Sequence, residues 1–383
     1  MAILGGFAGP EIVAGQRDPS ANLTILSGDL NGDDQPGLLN RSDNAYHVIV
    51  GTGAGAGAVL DGFEIRGGQA DAATGTNAIG GGLWLASGSP TLRSCTFTDN
   101  VATRGAGLYA STGAAPLLDA CTFRANTALS DGGAIYNLTA APILLNCVLE
   151  DNRATNTAGG IRNQDGSSPT LVNCLLAGNE KDAVYNRESS NPVMINCTVV
   201  NSGLFGVRNL ASSVPLITNG IVWSNGSGAI NGTATVSHSC IEGGATGDAN
   251  VPGDPLFVAA ASGNYRLSLG SPCVNAGDNA ALSGTGVTLD LDGGARIVHD
   301  RVDAGVYENP AAGRGDGNGD NRIDMADYLL FSACLFGPDT LPSPLTSPPT
   351  ASLCLNAFDA NADNDVDASD FGSFQRRFGT GGP

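Results

Sequence analysis

Cysteines recur at nearly equal intervals through the first half of the chain. Five of them, separated by 26, 26, 27 and 23 residues, are Cys95, Cys121, Cys147, Cys174 and Cys197. Each lies five residues after a proline and five before a turn residue, and these turn residues are Asn100, Asn126, Asn152, Asn179 and Ser202. One motif that recurs with a period of about 20 to 30 residues is typical of a solenoid, in which each repeat packs on its neighbours.

A second motif runs in step with the cysteines, at intervals of 23 to 27 residues. It places a small residue, an aliphatic residue and then a large or polar residue in succession. Because side chains alternate between the two faces of a strand, the aliphatic column is predicted to point inward and the next column outward. The aliphatic column is Leu83, Leu108, Ile135, Ile161, Val184, Val207 and Ile230. The outward column is Trp84, Tyr109, Tyr136, Arg162, Tyr185, Arg208 and Asn231.

The segment after each proline predicts a further strand in every repeat. Its leucine, cysteine and phenylalanine stand at positions i, i+3 and i+5, which do not alternate cleanly, so we expect a bend or bulge between them. The connections are too short for a crossover helix, so the strands must coil directly into parallel sheets about 4.8 Å apart. Asparagines one coil apart would then form a ladder of hydrogen-bonded amides that tolerates a left-handed turn. The predicted class is all-β.

This pattern resembles the right-handed, single-stranded parallel β-helix of the pectate-lyase-like superfamily, over roughly residues 20–245. The resemblance implies the fold and not an activity. Residues 254–308 depart from the period and resemble the region that follows the β-helix in choice-of-anchor bacterial surface proteins, and residues 5–9 and 16–19 resemble the opening coils of that group. We expect both ends to cap the solenoid, because an open solenoid exposes unpaired strand edges.

The regular cysteines are predicted to be reduced core residues. Residues stacked in register keep parallel Cα–Cβ vectors, and their Cβ atoms would lie near the strand spacing. That distance exceeds the disulfide optimum of about 3.8 Å. We therefore expect them to be small buried side chains and not a disulfide framework.

The C-terminal region carries two twelve-residue loops rich in oxygen ligands, 43 residues apart. Hard Ca²⁺ takes six to eight oxygen ligands, and such a loop wraps them around the ion. We therefore predict two calcium ions. The predicted ligands of the first loop are Asp316, Asn318, Asp320, Arg322 through its backbone carbonyl, Asp324 and Asp327. Those of the second loop are Asp359, Asn361, Asp363, Asp365, Asp367 and Asp370.

Each loop has aspartate at its last position and is followed by a short apolar helix, features that resemble a type I dockerin more than a sensor EF-hand. The resemblance implies calcium-dependent docking to a cohesin domain, although dockerin-like modules also serve as plain cell-surface anchors. Positions 10 and 11, which select the partner in the family, are Met325-Ala326 in one loop and Ala368-Ser369 in the other. This difference argues against symmetric dual docking. We expect Cys334 and Cys354, which flank the proline-rich insert, to be bridged, as suits an oxidising exterior.

These patterns predict four segments. Residues 1–253 form the parallel β-helix with its opening coils, and residues 254–309 form its C-terminal cap. Residues 310–315 form a linker, and residues 316–383 form the dockerin-like domain.

The net charge of −19 and the pI near 4.3 make nucleic acid and anionic membranes poor partners. No run of about 18 apolar residues is present, so we predict no transmembrane segment. The opening residues show no signal peptide, and we expect the N-terminus to be incomplete. Calcium loops nonetheless favour an extracellular or cell-surface location. We expect a monomer.

The outward column suggests a function for the solenoid. Aromatic rings repeated on successive coils would offer flat faces to sugar rings, and neighbouring arginines would hold acidic sugars. The candidate glycan-binding residues are Trp84, Tyr109, Tyr136, Arg162, Tyr185 and Arg208. The alternative is that these side chains only pack on one another, because aromatic residues favour strands. The first hypothesis is therefore a surface-attached protein that binds polysaccharide.

Two other classes stay open. One is a dockerin-bearing polysaccharide lyase or glycoside hydrolase, for which the candidate catalytic residues are Glu180, Asp182 and Arg208, although they match no motif of such enzymes. The other is a structural adhesin. Residues 29–34 carry half of a calcium-loop pattern and are predicted to form a simple polar turn. The scattered histidines, which are His47, His238 and His299, indicate neither a transition-metal site nor a triad.

Overall fold

The computed structural model describes residues 1–268, 270–298, 301–309, 315, 317, 323–337, 342, 351–359 and 365–377. The chain divides into two compact units, Met1–Val236 and Ser237–Pro383. The first unit is a solenoid of short parallel strands, and the second contains the irregular region and three α-helices.

The strands of the solenoid form three long sheets, which we name A, B and C, and a short sheet D. In spatial order, sheet A contains Ala2–Leu4, Val59–Asp61, Thr91–Arg93, Leu117–Asp119, Ile143–Leu145, Thr170–Val172, Val193–Ile195, Leu216–Thr218 and Thr235–Ser237. Sheet B contains Ile25–Ser27, Glu64–Arg66, Thr96–Thr98, Thr122–Arg124, Val148–Glu150, Leu175–Ala177, Thr198–Val200 and Ile221–Trp223. Sheet C contains Ile49–Val50, Leu83–Leu85, Leu108–Ser111, Ile135–Leu138, Ile161–Gln164, Val184–Asn186, Phe205–Asn209 and Gly228–Asn231. Sheet D contains Gln69–Ala70, Val101–Arg104, Thr127–Asp131 and Arg153–Ala154.

Equivalent residues of successive coils pair in register. Leu108 pairs with Leu83 on one side and with Ile135 on the other, and the same column continues through Ile161 and Val184. These aliphatic side chains are buried. In sheet B, Phe97 and Phe123 stack with their ring centroids 4.6 Å apart. The predicted solenoid and its inward column are therefore confirmed.

The expected bend between the proline-led strand and the cysteine is one left-handed residue per coil. The residues at this corner, with φ between 47° and 57°, are Ser94, Ala120, Asn146, Asn173, Asn196 and Asn219. The cysteine that follows turns into the core, where the Sγ of Cys121 donates to the carbonyl of Leu92 at 3.4 Å. The five regular cysteines are buried and reduced, as predicted. Burial raises the pKa of the Cys121 thiol, so it stays protonated and unreactive.

The asparagine ladder is confirmed. Asn100 Nδ2 donates to Asn126 Oδ1 at 3.0 Å, and Asn126 Nδ2 donates to Asn152 Oδ1 at 2.9 Å. The left-handed conformation belongs to the residue before each asparagine, such as Asp99 with φ 52°, and not to the asparagine itself. A second buried ladder, not predicted, follows the inner face of sheet C at Asn137, Asn163, Asn186 and Asn209, with amide contacts of 2.8 to 2.9 Å.

In the second unit, strand Phe257–Ala259 pairs antiparallel with Asn264–Leu267, and Cys240–Ile241 is a further short strand. Its helices are α1 (Met325–Cys334), α2 (Ala351–Phe358) and α3 (Ala368–Arg377). The 3-10 helices of the two units are Ala14–Gln16, Thr76–Ala78, Ala260–Ser262 and Asn279–Leu282.

The helices α1, α2 and α3 share one small core. Phe331 contacts Phe358 edge-on at 5.3 Å and stacks on Phe374 at 5.1 Å between ring centroids. The predicted disulfide between Cys334 and Cys354 is confirmed, and it joins the end of α1 to α2. Such a small apolar core is the situation in which disulfides and metals contribute most to stability.

Candidate functional sites

The outward column of sheet C is largely covered, which corrects the expectation of exposed ring faces. The exposed fractions are 5% for Tyr109, 4% for Tyr136 and 6% for Tyr185. Tyr109 stacks on Tyr136, with ring centroids 5.2 Å apart and planes tilted by 17°. The physical reason is the register itself, because flat side chains one strand spacing apart stack on each other and hide their faces. Trp84 is half-buried and lies 5.3 Å from the His47 ring.

Two arginines of the same column enclose Tyr185. The guanidinium carbon of Arg162 lies 4.2 Å from the centre of this ring, and that of Arg208 lies 5.4 Å from it. Both distances are within the range of cation–π attraction. The Tyr185 ring is therefore in contact with two guanidinium groups, and these are the charged groups of the column.

A polar network borders this column. Tyr136 Oη donates to Gln164 Oε1 at 2.8 Å, and Arg162 Nη2 donates to the same oxygen at 3.2 Å. Arg162 Nη1 donates to Thr157 Oγ1 at 2.8 Å, and this hydroxyl donates to Asp131 Oδ1 at 2.5 Å. Sequence reasoning missed Gln164, Thr157 and Asp131. Their signal was the 26-residue spacing of Asp131 and Thr157, which places them on adjacent coils.

Asp182 and Arg208, two of the three catalytic candidates, lie together beside the column. Asp182 is fully buried, and its Oδ1 accepts the backbone N–H of Phe205 at 3.2 Å. Its Oδ2 lies 3.8 Å from Arg208 Nη1, and Arg208 keeps 31% of its side chain exposed. Burial raises the pKa of Asp182, which outweighs the backbone hydrogen bond and the arginines that lower it. Glu180 lies on the exposed surface two residues earlier.

Three predicted ligands of the second calcium loop converge. Carboxylate oxygens of Asp365, Asp367 and Asp370 all lie within 4.8 Å of one another. Asp370 is buried, and its Oδ2 accepts the backbone N–H of Asp367 at 2.9 Å. Such a set of hard oxygen donors fits Ca²⁺. Asp359 is buried as well. Asn361 and Asp363 lie outside the described residues.

The first calcium loop repeats this geometry where it is described. Asp327 is buried, and its Oδ2 accepts the backbone N–H of Asp324 at 2.9 Å, just as Asp370 does for Asp367. Asp324 also caps α1 by accepting the N–H of Ala326 at 2.8 Å. The other predicted ligands, which lie outside the described residues, are Asp316, Asn318, Asp320 and Arg322. The side chains that precede the two pairs, Ile323 and Val366, pack in the shared core of the helices.

The acidic stretch at residues 29–34 forms the expected polar turn. Asp29 Oδ1 accepts the backbone N–H of Gly32 at 2.7 Å and of Asp33 at 3.3 Å, and its Oδ2 accepts that of Asp34 at 3.2 Å. His47 and His238 lie far apart in sequence, and His299 lies outside the described residues.

A parallel β-solenoid is thus joined in one chain to a pair of acidic loops and short helices, which defines a two-module class of protein. Comparison with family models agrees: the right handed beta helix region matches residues 62–251, and the dockerin type I domain matches residues 314–378. The chain is thus a right-handed β-helix protein with a C-terminal type I dockerin domain. A search of curated proteins found no match.

Dockerin type I domains bind calcium and typically bind cohesin, and they occur on extracellular or cell-surface proteins. The dockerin therefore supports the predicted calcium and indicates a carbohydrate-associated protein. Among the described residues, the helices have at most ten residues, and none could cross a membrane.

Proposed function

We propose that this chain is a secreted or cell-surface protein that binds polysaccharide along the outer face of sheet C and is tethered through its dockerin. The observation that carries the proposal is the stack of Arg162, Tyr185 and Arg208. The buried carboxyl group of Asp182 lies beside Arg208. In a chain of net charge −19, the partly exposed guanidinium of Arg208, with the buried guanidinium of Arg162 against the same tyrosine, forms a local positive site. Such a site favours an acidic polysaccharide.

The stacking changes the expected mode of binding. Because the tyrosine faces are covered and Arg162 is only 5% exposed, a glycan would contact the edge of the column at the guanidinium of Arg208. Trp84 is the ring of this column that keeps partial exposure for a sugar to stack on. Arg208, with 31% of its side chain exposed, would make the first ionic contact with a sugar carboxylate or sulfate.

The test is affinity electrophoresis of the intact chain in gels that contain polygalacturonate, alginate, chondroitin sulfate or neutral xylan. We expect retardation by an acidic polymer, and we expect Arg208→Ala to weaken it about tenfold or more, as loss of a charge-assisted pair does. The matched control is Arg93→Ala on sheet A, where the arginine is also exposed and pairs with Asp119. Equal retardation of wild type, Arg208→Ala and Trp84→Ala would overturn the proposed site.

The tether has its own test. Calcium-loaded protein should be captured by a cohesin domain from a matching scaffold, and the chelator EGTA should release it, because the loop ligands must gather around the ion to shape the docking helices. Met325-Ala326 and Ala368-Ser369 occupy the positions expected to select the partner. Capture by cell-wall material in the absence of any cohesin would instead assign the dockerin as a plain anchor.

A second function is favoured by Asp182. A fully buried carboxyl group with a raised pKa, 3.8 Å from an arginine, is a candidate general acid or base of a polysaccharide lyase or glycoside hydrolase. The test measures new reducing ends and unsaturated-uronate absorbance with the same polysaccharides. Turnover that Asp182→Asn abolishes while binding persists would make the chain an enzyme. Binding without turnover by the wild type would assign it as a binder.

A further inference from the structure

The chain between the first strands of sheets B and C, residues 28–48, folds back beside the opening coils and, together with sheet B, lines a half-open cavity. We call this segment the insert and the cavity the insert pocket. Its volume is about 770 Å³, within the usual range of small-ligand sites. The pocket lies on sheet B and the insert, so it is separate from the outward column of sheet C.

The insert is held in place by buried polar contacts. Arg41 is 8% exposed, and its Nη2 donates to the carbonyl of Asp99 at 2.8 Å. Its Nε lies 3.6 Å from Asp34 Oδ2, which also accepts from Asn44 Nδ2 at 3.0 Å. Asn44 donates to the carbonyl of Gly67 at 2.7 Å as well. These contacts tie the insert to two successive coils, so the pocket wall is preorganised, which lowers the entropic cost of binding.

The pocket wall combines groups that only accept hydrogen bonds with groups that only donate them. The carboxylates that line it belong to Asp29, Asp34 and Asp99, and the guanidinium groups to Arg41 and Arg66. The formal charges nearly balance, so neither a strong anion nor a bare cation matches the whole wall. Hydroxyl groups both donate and accept, and they can satisfy both kinds of wall group.

The pocket is also lined by accessible apolar side chains. Ile25 is 39% exposed and Leu38 is 41% exposed, and both line the cavity. A wall that offers both apolar and polar groups matches a sugar ring, which presents C–H groups on one face and hydroxyls around its edge. Leu38 is also held in the left-handed region at φ 64°, an uncommon conformation for leucine that turns the insert here.

From these observations we infer that the insert pocket binds a neutral, hydroxyl-rich sugar, as a second glycan site at the opening coils. In this arrangement the carboxylate of Asp99 accepts from sugar hydroxyls, and the Arg66 guanidinium, whose Nη1 also donates to Glu64 Oε1 at 3.1 Å, donates to them through its other N–H groups. Ile25 and Leu38 contact the C–H face. The inference goes beyond the proposed function, because it needs no ligand on sheet C.

The test is calorimetric titration of the full chain with neutral xylo-, cello- and manno-oligosaccharides. We expect one of these series to bind, and we expect Leu38→Asn and Arg66→Gln each to weaken it about tenfold or more. Asparagine tolerates the left-handed conformation, so Leu38→Asn should keep the fold. The matched control is Leu39→Asn, because Leu39 is 61% exposed and does not line the cavity. A bulky Ser27→Trp variant should block the pocket independently of the insert.

Several results would overturn the inference. One is that no neutral series binds. Another is that binding survives in each of the variants Leu38→Asn, Arg66→Gln and Ser27→Trp. The third is that Arg208→Ala alone removes binding. If calcium binds in the absence of sugar and Asp29→Asn weakens that binding, the pocket is a cation site and not a sugar site. Acidic polymers test the proposed site on sheet C, and neutral oligosaccharides test the insert pocket. A negative result at one site therefore does not affect the interpretation of the other.

Discussion

The solenoid and the dockerin achieve stability in opposite ways. In the solenoid, successive coils repeat buried aliphatic and asparagine columns, and two of them stack Phe97 on Phe123, so the core continues from coil to coil. In the dockerin, the described core is one small cluster around Phe331, Phe358 and Phe374. Acidic side chains such as Asp365 and Asp370 are buried beside it. The solenoid is therefore stabilised by packing in register, whereas the acidic side chains of the dockerin need the calcium that dockerin domains bind.

Removal of calcium should therefore separate the two regions most sharply. Asp365, Asp367 and Asp370 hold carboxylate oxygens within 4.8 Å of one another, and these charges repel unless a cation lies among them. We expect EGTA to unfold α1, α2 and α3 and to leave the strands of the solenoid folded. Circular dichroism combined with limited proteolysis measures both regions at once. Helices that resist both EGTA and reduction of the Cys334–Cys354 disulfide would contradict the comparison.

The next largest effect should follow truncation of the solenoid core. Phe123 is fully buried and stacks on Phe97 at 4.6 Å. Phe123→Ala should lower the free energy of unfolding of the solenoid by about 3–5 kcal/mol, since it removes apolar contacts and leaves a cavity. Leu129→Ala on the exposed surface is the control and should cost less than about 0.5 kcal/mol. Denaturant unfolding with chelator present checks this without a contribution from the dockerin.

These two expectations show what the sequence could predict. The spacing of proline, cysteine and asparagine determined the coil and its register, because residues one period apart must stack. Alternation along the strand also predicted correctly which face Tyr109 and Tyr185 occupy. It could not predict their burial, because stacking between coils and the guanidinium of Arg162 cover the rings, and these are contacts between distant residues.

Some contacts within the candidate sites could not be predicted from the sequence. The pairing of Asp182 with Arg208 joins residues 26 apart in a column that carries different residue types on each coil. Arg41 reads as an ordinary surface arginine, and only the folded insert shows that it is buried against Asp99. Motifs with fixed local spacing, such as the calcium loops, can be found in sequence, whereas sites assembled by single residues of several coils cannot.

A smaller effect should come from pH in the region between the solenoid and the dockerin. Arg296 lies 3.4 Å from Glu308, and both are buried beside Asp303. Burial raises the pKa of Asp303 to about 7 and that of Glu308 to about 9. Raised carboxyl pKa values mean that the folded state binds more protons than the unfolded state. Stability from these groups is therefore full below about pH 4 and is lost as pH rises through 7 to 9.

This sign is opposite to that of ordinary paired carboxylates, which gain stability as pH rises. Glutamine has the size of a protonated glutamic acid but cannot ionise. Glu308→Gln should therefore reduce the loss of thermal stability between pH 6 and about 9, whereas Glu64→Gln on sheet B should leave that loss unchanged. Melting curves of calcium-loaded protein across that range provide the measurement. Equal slopes for wild type and Glu308→Gln would show that Arg296 keeps Glu308 ionised throughout.

The smallest effect concerns charges on the outside of the solenoid. Arg93 Nε lies 3.2 Å from Asp119 Oδ2 on the adjacent coil of sheet A, and 47% and 29% of the two side chains are exposed. Exposed pairs contribute about 0–1 kcal/mol, because water screens them and both side chains lose freedom. Arg93→Ala should therefore change the unfolding free energy by no more than that, and added salt should remove the difference. A loss of several kcal/mol would mean that ionic contacts between coils, and not only the buried columns, hold the solenoid in register.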